Sequence, residues 1–192
     1  MRAVLAWVGL ALVVLVPLLV AANSPLLAWR SPIYIASGFA GIIALCMLFV
    51  QPMLALRALP NLSPMTARRW HGWFGAMLVA AVIVHVLGLW TTSPPDVIDA
   101  LLLRSPTPFS IWGVLAMWAV FASAVVMATR RRFQLKRTVW KALHLGFAVV
   151  IACGTVLHAL LIEGTMGWFS KVVVCCLVLI ATGYTVWRQV RV

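Results

Sequence analysis

Six long apolar stretches divide the sequence, and each is long enough to cross a lipid bilayer. They cover residues 4–22, 33–54, 70–91, 109–129, 140–162 and 167–188. A membrane-spanning helix needs about 20 predominantly apolar residues. A soluble domain carries about a quarter of its residues as charged side chains, whereas this chain is 9% charged and 65% hydrophobic. The pattern predicts an all-α integral membrane protein, a single six-transmembrane-helix bundle that occupies residues 1–192.

The first apolar stretch has a second interpretation as a signal peptide. Arg2 precedes it, and Ala21 and Ala22 are small residues of the kind found near cleavage sites. The apolar core of a signal peptide is about 7–15 residues long, which is shorter than this run. We therefore expect a retained helix. Ser63 followed by Pro64 predicts a helix start before the third stretch, with serine as N-cap and proline at the first helical position.

The basic residues are distributed unequally between the two sets of loops. One set holds Arg2, Arg57, Arg68, Arg69, Arg130, Arg131, Arg132, Lys136, Arg137, Lys141, Arg188 and Arg191. The other set holds Arg30, Arg104 and Lys171 with the three acids, Asp96, Asp99 and Glu163. Short loops rich in lysine and arginine stay in the cytoplasm, so both termini are expected to be cytoplasmic. The net charge of +12 then reflects membrane topology, and no nucleic-acid partner is expected.

The four histidines of the chain form two pairs with equal spacing. His71 and His85 lie on the third stretch, and His144 and His158 lie on the fifth, fourteen residues apart in each case. In an α-helix this spacing keeps both side chains within about 40° of one face and about 21 Å apart along the axis. Because both helices run outward from the cytoplasm, His71 is expected to face His144, and His85 to face His158. Ionisable groups inside a membrane span are costly and usually functional.

Two imidazoles at each level suit one kind of metal chemistry better than others. Zinc prefers four protein ligands brought close together, and no carboxylate or thiol accompanies either pair. A haem iron needs only axial ligands, for which imidazole is common, and helical bundles often hold such cofactors between facing helices. Since the chain lacks a CxxCH attachment motif, two non-covalent b-type haems are expected. The cysteines lie inside apolar stretches and are expected to be packing residues: Cys46, Cys153, Cys175 and Cys176.

Small residues lie one helical turn from each histidine, toward the middle of the membrane. They are Gly75, Ala81, Ala148 and Gly154. They would give a flat porphyrin room against the helix, although small residues also let membrane helices pack closely. Arg68 and Arg69, with Arg137 and Lys141, are candidates to pair with haem propionates. Positive-inside topology is the other explanation of these cations. On the opposite side, only Lys171 and Arg104 are available.

These features together resemble the ferric reductase-like transmembrane domain of NADPH oxidases, ferric reductases and the bacterial MsrQ haem subunit. The resemblance covers nearly the whole chain and is most specific at residues 68–72, with the sequence Arg-Arg-Trp-His-Gly, and at residues 140–144, with the sequence Trp-Lys-Ala-Leu-His. It implies that His71, His144, His85 and His158 bind two stacked haems. It also implies that electrons pass from the cytoplasmic to the outer face of a bacterial inner membrane.

The sequence departs from the larger members of this family in one respect. It has no Gly-rich phosphate-binding fingerprint and ends soon after the last apolar stretch, so no flavin domain is expected. A separate cytoplasmic flavoprotein or a membrane quinol would then be the electron donor, and a periplasmic protein a possible acceptor. An alternative is that the protein supplies electrons to a periplasmic methionine sulfoxide reductase, as MsrQ does, although MsrQ proteins usually lack a histidine matching His71. A histidine-based metal or proton transporter and a haem-free assembly subunit are further alternatives.

Overall fold

The computed structural model describes residues 1–191, and these residues form seven α-helices without a β-strand. The helices are α1 (Arg2–Ala22), α2 (Pro32–Ala55), α3 (Pro64–Thr92), α4 (Pro94–Leu101), α5 (Ser110–Thr129), α6 (Arg137–Leu161) and α7 (Trp168–Val190). All except α4 are long and apolar enough to cross a membrane. The predicted all-α, six-span membrane bundle is therefore confirmed.

Serine caps and following prolines fix where two of the spans begin. Ser63 Oγ accepts a hydrogen bond from the backbone N–H of Thr66 at 3.1 Å, and Pro64 occupies the first turn. The predicted cap is confirmed, and α3 begins six residues before the predicted apolar stretch. The reason is that the first turns of α3 are polar, so hydropathy alone places the start too late. Ser31 caps α2 in the same way, 3.3 Å from the N–H of Tyr34.

The bundle is built around two helical hairpins. Helix α2 packs along α3, and α5 packs along α6, while the backbones of α3 and α6 approach each other closely at few positions, if any, within residues 1–191. Helix α7 packs against α6 and α2, and α1 packs against α2 and α7. The most buried residues of the core include Leu45 and Cys46 of α2 and Val178 of α7. The arrangement leaves the histidine-bearing helices α3 and α6 on facing sides of the two hairpins.

Helix α4 was not predicted, because its eight residues lie between two of the apolar stretches. Proline is compatible with the first helical turn, where the missing N–H has no intrahelical partner. A short helix therefore follows Ser93 and carries Asp96 in its first turn. It connects α3 with α5 at the end of the bundle opposite Arg57, Arg68 and Arg69. We call the end that holds these three arginines the arginine-rich end.

Candidate functional site

The four histidine rings form two facing pairs, one pair above the other between α3 and α6. The ring centroids of His71 and His144 are 6.1 Å apart, and the ring planes make an angle of 81°. The centroids of His85 and His158 are 6.4 Å apart, with an angle of 82°. As predicted, His71 faces His144 and His85 faces His158. The first pair lies nearer the arginine-rich end.

The pair farther from the arginine-rich end is held by backbone carbonyls. His85 Nδ1 lies 2.8 Å from the carbonyl oxygen of Ser37 on α2. His158 Nδ1 lies 2.9 Å from the carbonyl oxygen of Phe109, which precedes α5. A carbonyl can only accept, so each Nδ1 carries the hydrogen and each Nε2 keeps a free lone pair. Nε2 is therefore the atom available to a metal in both rings.

The pair nearer the arginine-rich end is held by one carbonyl and one side chain. His71 Nδ1 donates to the carbonyl oxygen of Gln51 at 3.3 Å, and the Gln51 side-chain amide donates back to the His71 carbonyl oxygen at 3.3 Å. His144 Nδ1 lies 2.9 Å from the hydroxyl of Ser123 on α5. Both rings are thereby fixed through Nδ1 by the other helix of their own hairpin.

The hydrogen-bond partners repeat the spacing of the histidines. Ser37 and Gln51 on α2 are fourteen residues apart, as are Phe109 and Ser123 at α5. Each hairpin therefore carries one histidine and one partner at each level, in the same arrangement. An antiparallel helix pair can match two levels in this way because both helices advance about 1.5 Å per residue.

Two glycines make room for His85 and His158, which we call the far pair because they lie farther from the arginine-rich end; their depth in the bundle is the far level. A Cβ atom on Gly113 of α5 would lie 2.6 Å from His158 Nδ1, and a Cβ atom on Gly41 of α2 would lie 3.0 Å from His85 Nδ1. These contacts are too short for a side chain at either position without movement of the ring. Neither glycine was predicted from the sequence, because its role depends on contacts between helices that sequence spacing does not reveal.

The predicted small residues have different surroundings. The open side of Gly154 faces α5, where a Cβ atom would lie 3.0 Å from the Trp112 carbonyl oxygen. The open side of Gly75 faces the Gln51 amide, at 3.4 Å. Ala81 is partly buried against the core, and Ala148 is also partly buried. Close helix packing accounts for Gly154, while room for a porphyrin remains a prediction for the set.

The predicted propionate partners also differ in what they contact. Arg68 and Arg69 are exposed on the first turns of α3, where they are free to meet an anion. Lys141 Nζ instead donates to the Gln189 carbonyl oxygen at 2.7 Å, near the end of α7. Lys171 is buried, and its Nζ donates to the Ile162 carbonyl oxygen at 2.7 Å, where α6 ends. The two lysines therefore join helix ends, which leaves the arginines as the better candidates.

The separation of the rings fits one metal between each pair. A metal–imidazole bond is about 2 Å long, and ring bonds of about 1.3–1.5 Å place each ring nitrogen about 1.2 Å from the centroid. Two imidazoles on opposite sides of one metal then have centroids about 6 Å apart. No group of three or more histidine, cysteine, aspartate or glutamate side chains that could hold a metal occurs in residues 1–191. Each pair thus suits a metal whose other ligands come from a macrocycle.

A protein-family model for the ferric reductase like transmembrane component matches residues 37–155, which is more than half of the chain. The chain belongs to this family. Ferric reductase like transmembrane components are electron-transfer components of membranes and generally bind haem. A search of curated proteins and a search of solved structures gave no match.

The matched region extends over both hairpins of this ferric reductase like component. It begins at Ser37, whose carbonyl holds His85, and it includes His71, His85 and His144. It ends three residues before His158. The inclusion of His158 in the site therefore rests on its facing position opposite His85 and on its bond to Phe109, which match those of the other histidines.

Proposed function

We propose that this protein carries electrons across a bacterial inner membrane through two non-covalent b-type haems. His71 and His144 would hold one haem, and His85 and His158 the other. The observation that carries the proposal is the separation of the facing rings, 6.1 and 6.4 Å between centroids, which is the separation that two axial imidazoles require. The family membership supports it, because haem-dependent electron transfer is the general activity of such domains.

Haem bound at each level would supply a one-electron redox couple. The protein's own residues supply position, ligation and a low dielectric constant. Each Nδ1 hydrogen bond fixes the ring orientation and raises the basicity of Nε2, as partners of metal-bound histidines commonly do. Leu78 and Ile151 lie seven residues beyond His71 and His144, midway between the levels, and both are buried. Two buried apolar side chains therefore lie between the levels, where they would contribute to a low dielectric constant.

We propose that the arginine-rich end faces the cytoplasm, because loops rich in lysine and arginine are retained there. His71 and His144 would then hold the haem nearer the electron donor, a separate flavoprotein or a membrane quinol. His85 and His158 would hold the haem nearer an acceptor on the periplasmic side. In one form of this proposal, the acceptor is a periplasmic methionine sulfoxide reductase that receives electrons from this protein, as from MsrQ. We also propose that residues 1–192 form one functional domain.

Metal or proton transport has less support from the same residues. Transporters of this kind use buried carboxylates or interrupted helices at mid-membrane depth. Asp96 and Asp99 are exposed on the short helix α4, and Glu163 is exposed in the loop after α6. Every histidine Nδ1 is already bonded within its own hairpin, which suits a fixed ligand better than a group that must exchange its partner during transport.

The test is an absorption spectrum with a haem-to-protein ratio. The protein would be purified in detergent after expression with sufficient haem supply, and spectra would be recorded in the oxidised and the dithionite-reduced state. We expect a reduced b-type spectrum and two haems per chain. The His85→Ala variant should retain one haem per chain, while Leu87→Ala, which changes an exposed residue of the same helix, should retain two.

Three results would contradict the proposal in different ways. A protein that stays colourless and takes up no added haem would exclude a haem protein. One haem per chain in the unaltered protein would exclude the two-level arrangement. Equal loss of both haems in His85→Ala, with a folded protein by circular dichroism, would exclude independent levels.

A further inference from the structure

The bond between Ser123 and His144 differs in kind from the other three histidine bonds. His71, His85 and His158 each donate Nδ1–H to a backbone carbonyl, whereas His144 Nδ1 meets the hydroxyl of Ser123 at 2.9 Å. Ser123 is only 8% exposed, so water does not compete for this bond. His144 is thus the one histidine whose partner is set by the identity of a side chain.

The type of hydrogen-bond acceptor at Nδ1 affects the basicity of the histidine as an iron ligand. An acceptor at Nδ1–H makes the imidazole more basic at Nε2, and a more basic ligand favours ferric over ferrous iron. A hydroxyl oxygen is a weaker acceptor than a peptide carbonyl. At the other level both partners are carbonyls at 2.8 and 2.9 Å, while His71 has a longer bond of 3.3 Å. The His71/His144 pair therefore favours ferric iron less than the His85/His158 pair does.

The distribution of charge also favours a higher reduction potential at the His71/His144 level. The His71/His144 pair lies nearer the arginine-rich end, and Arg130 is stacked on the ring of Trp140 at 4.6 Å, one helical turn before His144. The three acids of the chain lie at the opposite end. Positive charge nearby stabilises the form of a haem that has gained an electron, and a low-dielectric surrounding strengthens the effect. Both features would raise the reduction potential of a haem bound between His71 and His144.

We propose that the haem between His71 and His144 has the higher reduction potential, and that Ser123 is a positioning residue that sets part of the difference through His144. This inference rests on the proposed function. A higher potential at this level would disfavour electron transfer to the His85/His158 level in the absence of an acceptor.

The test is a potentiometric titration of the purified protein with its haems bound. With Nε2 on the haem, His144 Nδ1 would carry the hydrogen and the Ser123 hydroxyl would accept it. Ser123→Ala removes this acceptor, so we expect a positive shift in the potential of the higher-potential haem and no shift in the other. Ser123→Thr retains the hydroxyl and should stay near the unaltered value. Ser123→Cys keeps the size but offers a weak sulfur acceptor, and its shift should lie between the two.

The two potentials are assigned with His71→Ala and His85→Ala, each of which should retain a single haem. Thr185→Val is the matched control, because Thr185 is a buried hydroxyl on α7 that bonds only to the Ala181 carbonyl oxygen. It should shift neither potential. If Ser123→Ala loses a haem, the cysteine and threonine variants give the same comparison.

Three outcomes would overturn the inference. They are a lower potential at the His71/His144 level, equal shifts at both levels, and no shift in either Ser123→Ala or Ser123→Cys. All three presuppose that the unaltered protein contains two haems, so they would leave the proposed function intact. A protein without two haems would instead contradict the proposed function before any titration.

Discussion

Replacement of His71 by alanine is expected to remove half of the bound haem and to abolish electron transfer across the membrane. The ring of His71 faces His144 at 6.1 Å, and no other metal-binding side chain group accompanies this pair within residues 1–191. One axial ligand is then missing, and a single imidazole holds a haem less well. The far level keeps both of its ligands. The measurements are the haem-to-protein ratio and the rate at which liposomes containing the protein reduce an enclosed acceptor.

The rate should fall to that of liposomes without protein, even though one haem per chain remains. Added imidazole, which is small enough to replace the missing side chain, should restore part of the absorption. Leu87→Ala again provides the control on the same helix. Retention of two haems in His71→Ala would show that His71 is not a ligand. Undiminished transfer with one haem would show that the path does not require this level.

Gly113→Ala is expected to lose the haem of the far level although it adds only one methyl group. The new Cβ atom would lie 2.6 Å from His158 Nδ1 and 2.9 Å from Cε1. The position is on the helix backbone and cannot move away, so the ring must move and give up its bond to the Phe109 carbonyl oxygen. Loss of a partner of a metal-bound histidine weakens metal binding by about 10–100-fold. Haem stoichiometry and haem dissociation rate measure the effect.

A graded series separates this effect from a general effect of helix substitutions. Gly41→Ala places its Cβ atom 3.0 Å from His85 Nδ1 and should be milder than Gly113→Ala. Gly183→Ala has no atom within 4 Å of the new Cβ and should retain both haems. Alanine is favoured over glycine in a helix by about 1 kcal/mol, so a loss at Gly113 cannot come from helix propensity. Equal haem content in all three variants would refute the steric argument.

The sequence predicts the spans well because the membrane imposes a strong and simple constraint. The predicted stretch 33–54 and helix α2 (Pro32–Ala55) differ by one residue at each end. The start of α3 was placed late because its first turns are polar, and α4 was missed because its eight residues are too few and too polar to form an apolar stretch. Both errors concern local capping and polar surface, which hydropathy does not detect.

The facing of the histidines could also be predicted, since it follows from helix periodicity and from the direction of two spans. The partners of Nδ1 could not be, because backbone carbonyls such as those of Ser37 and Phe109 leave no mark in a sequence. Gly41 and Gly113 were missed because they contact the histidine rings across helices, which sequence spacing does not reveal. At Gly154 the structure adds a contact that the sequence did not indicate, since a Cβ atom there would meet the Trp112 carbonyl oxygen of α5; its place beside a porphyrin stays a prediction.

The division of the ligands between two hairpins has a thermodynamic consequence. Each level takes one histidine from the α2–α3 hairpin and one from the α5–α6 hairpin, and α3 and α6 have few close backbone contacts. A cofactor bound by both histidines is therefore a crosslink between the two halves of the bundle. By linkage, its binding free energy adds to the stability of the assembled state. The supply of haem in the cell would then set how much of this protein survives quality control in the membrane.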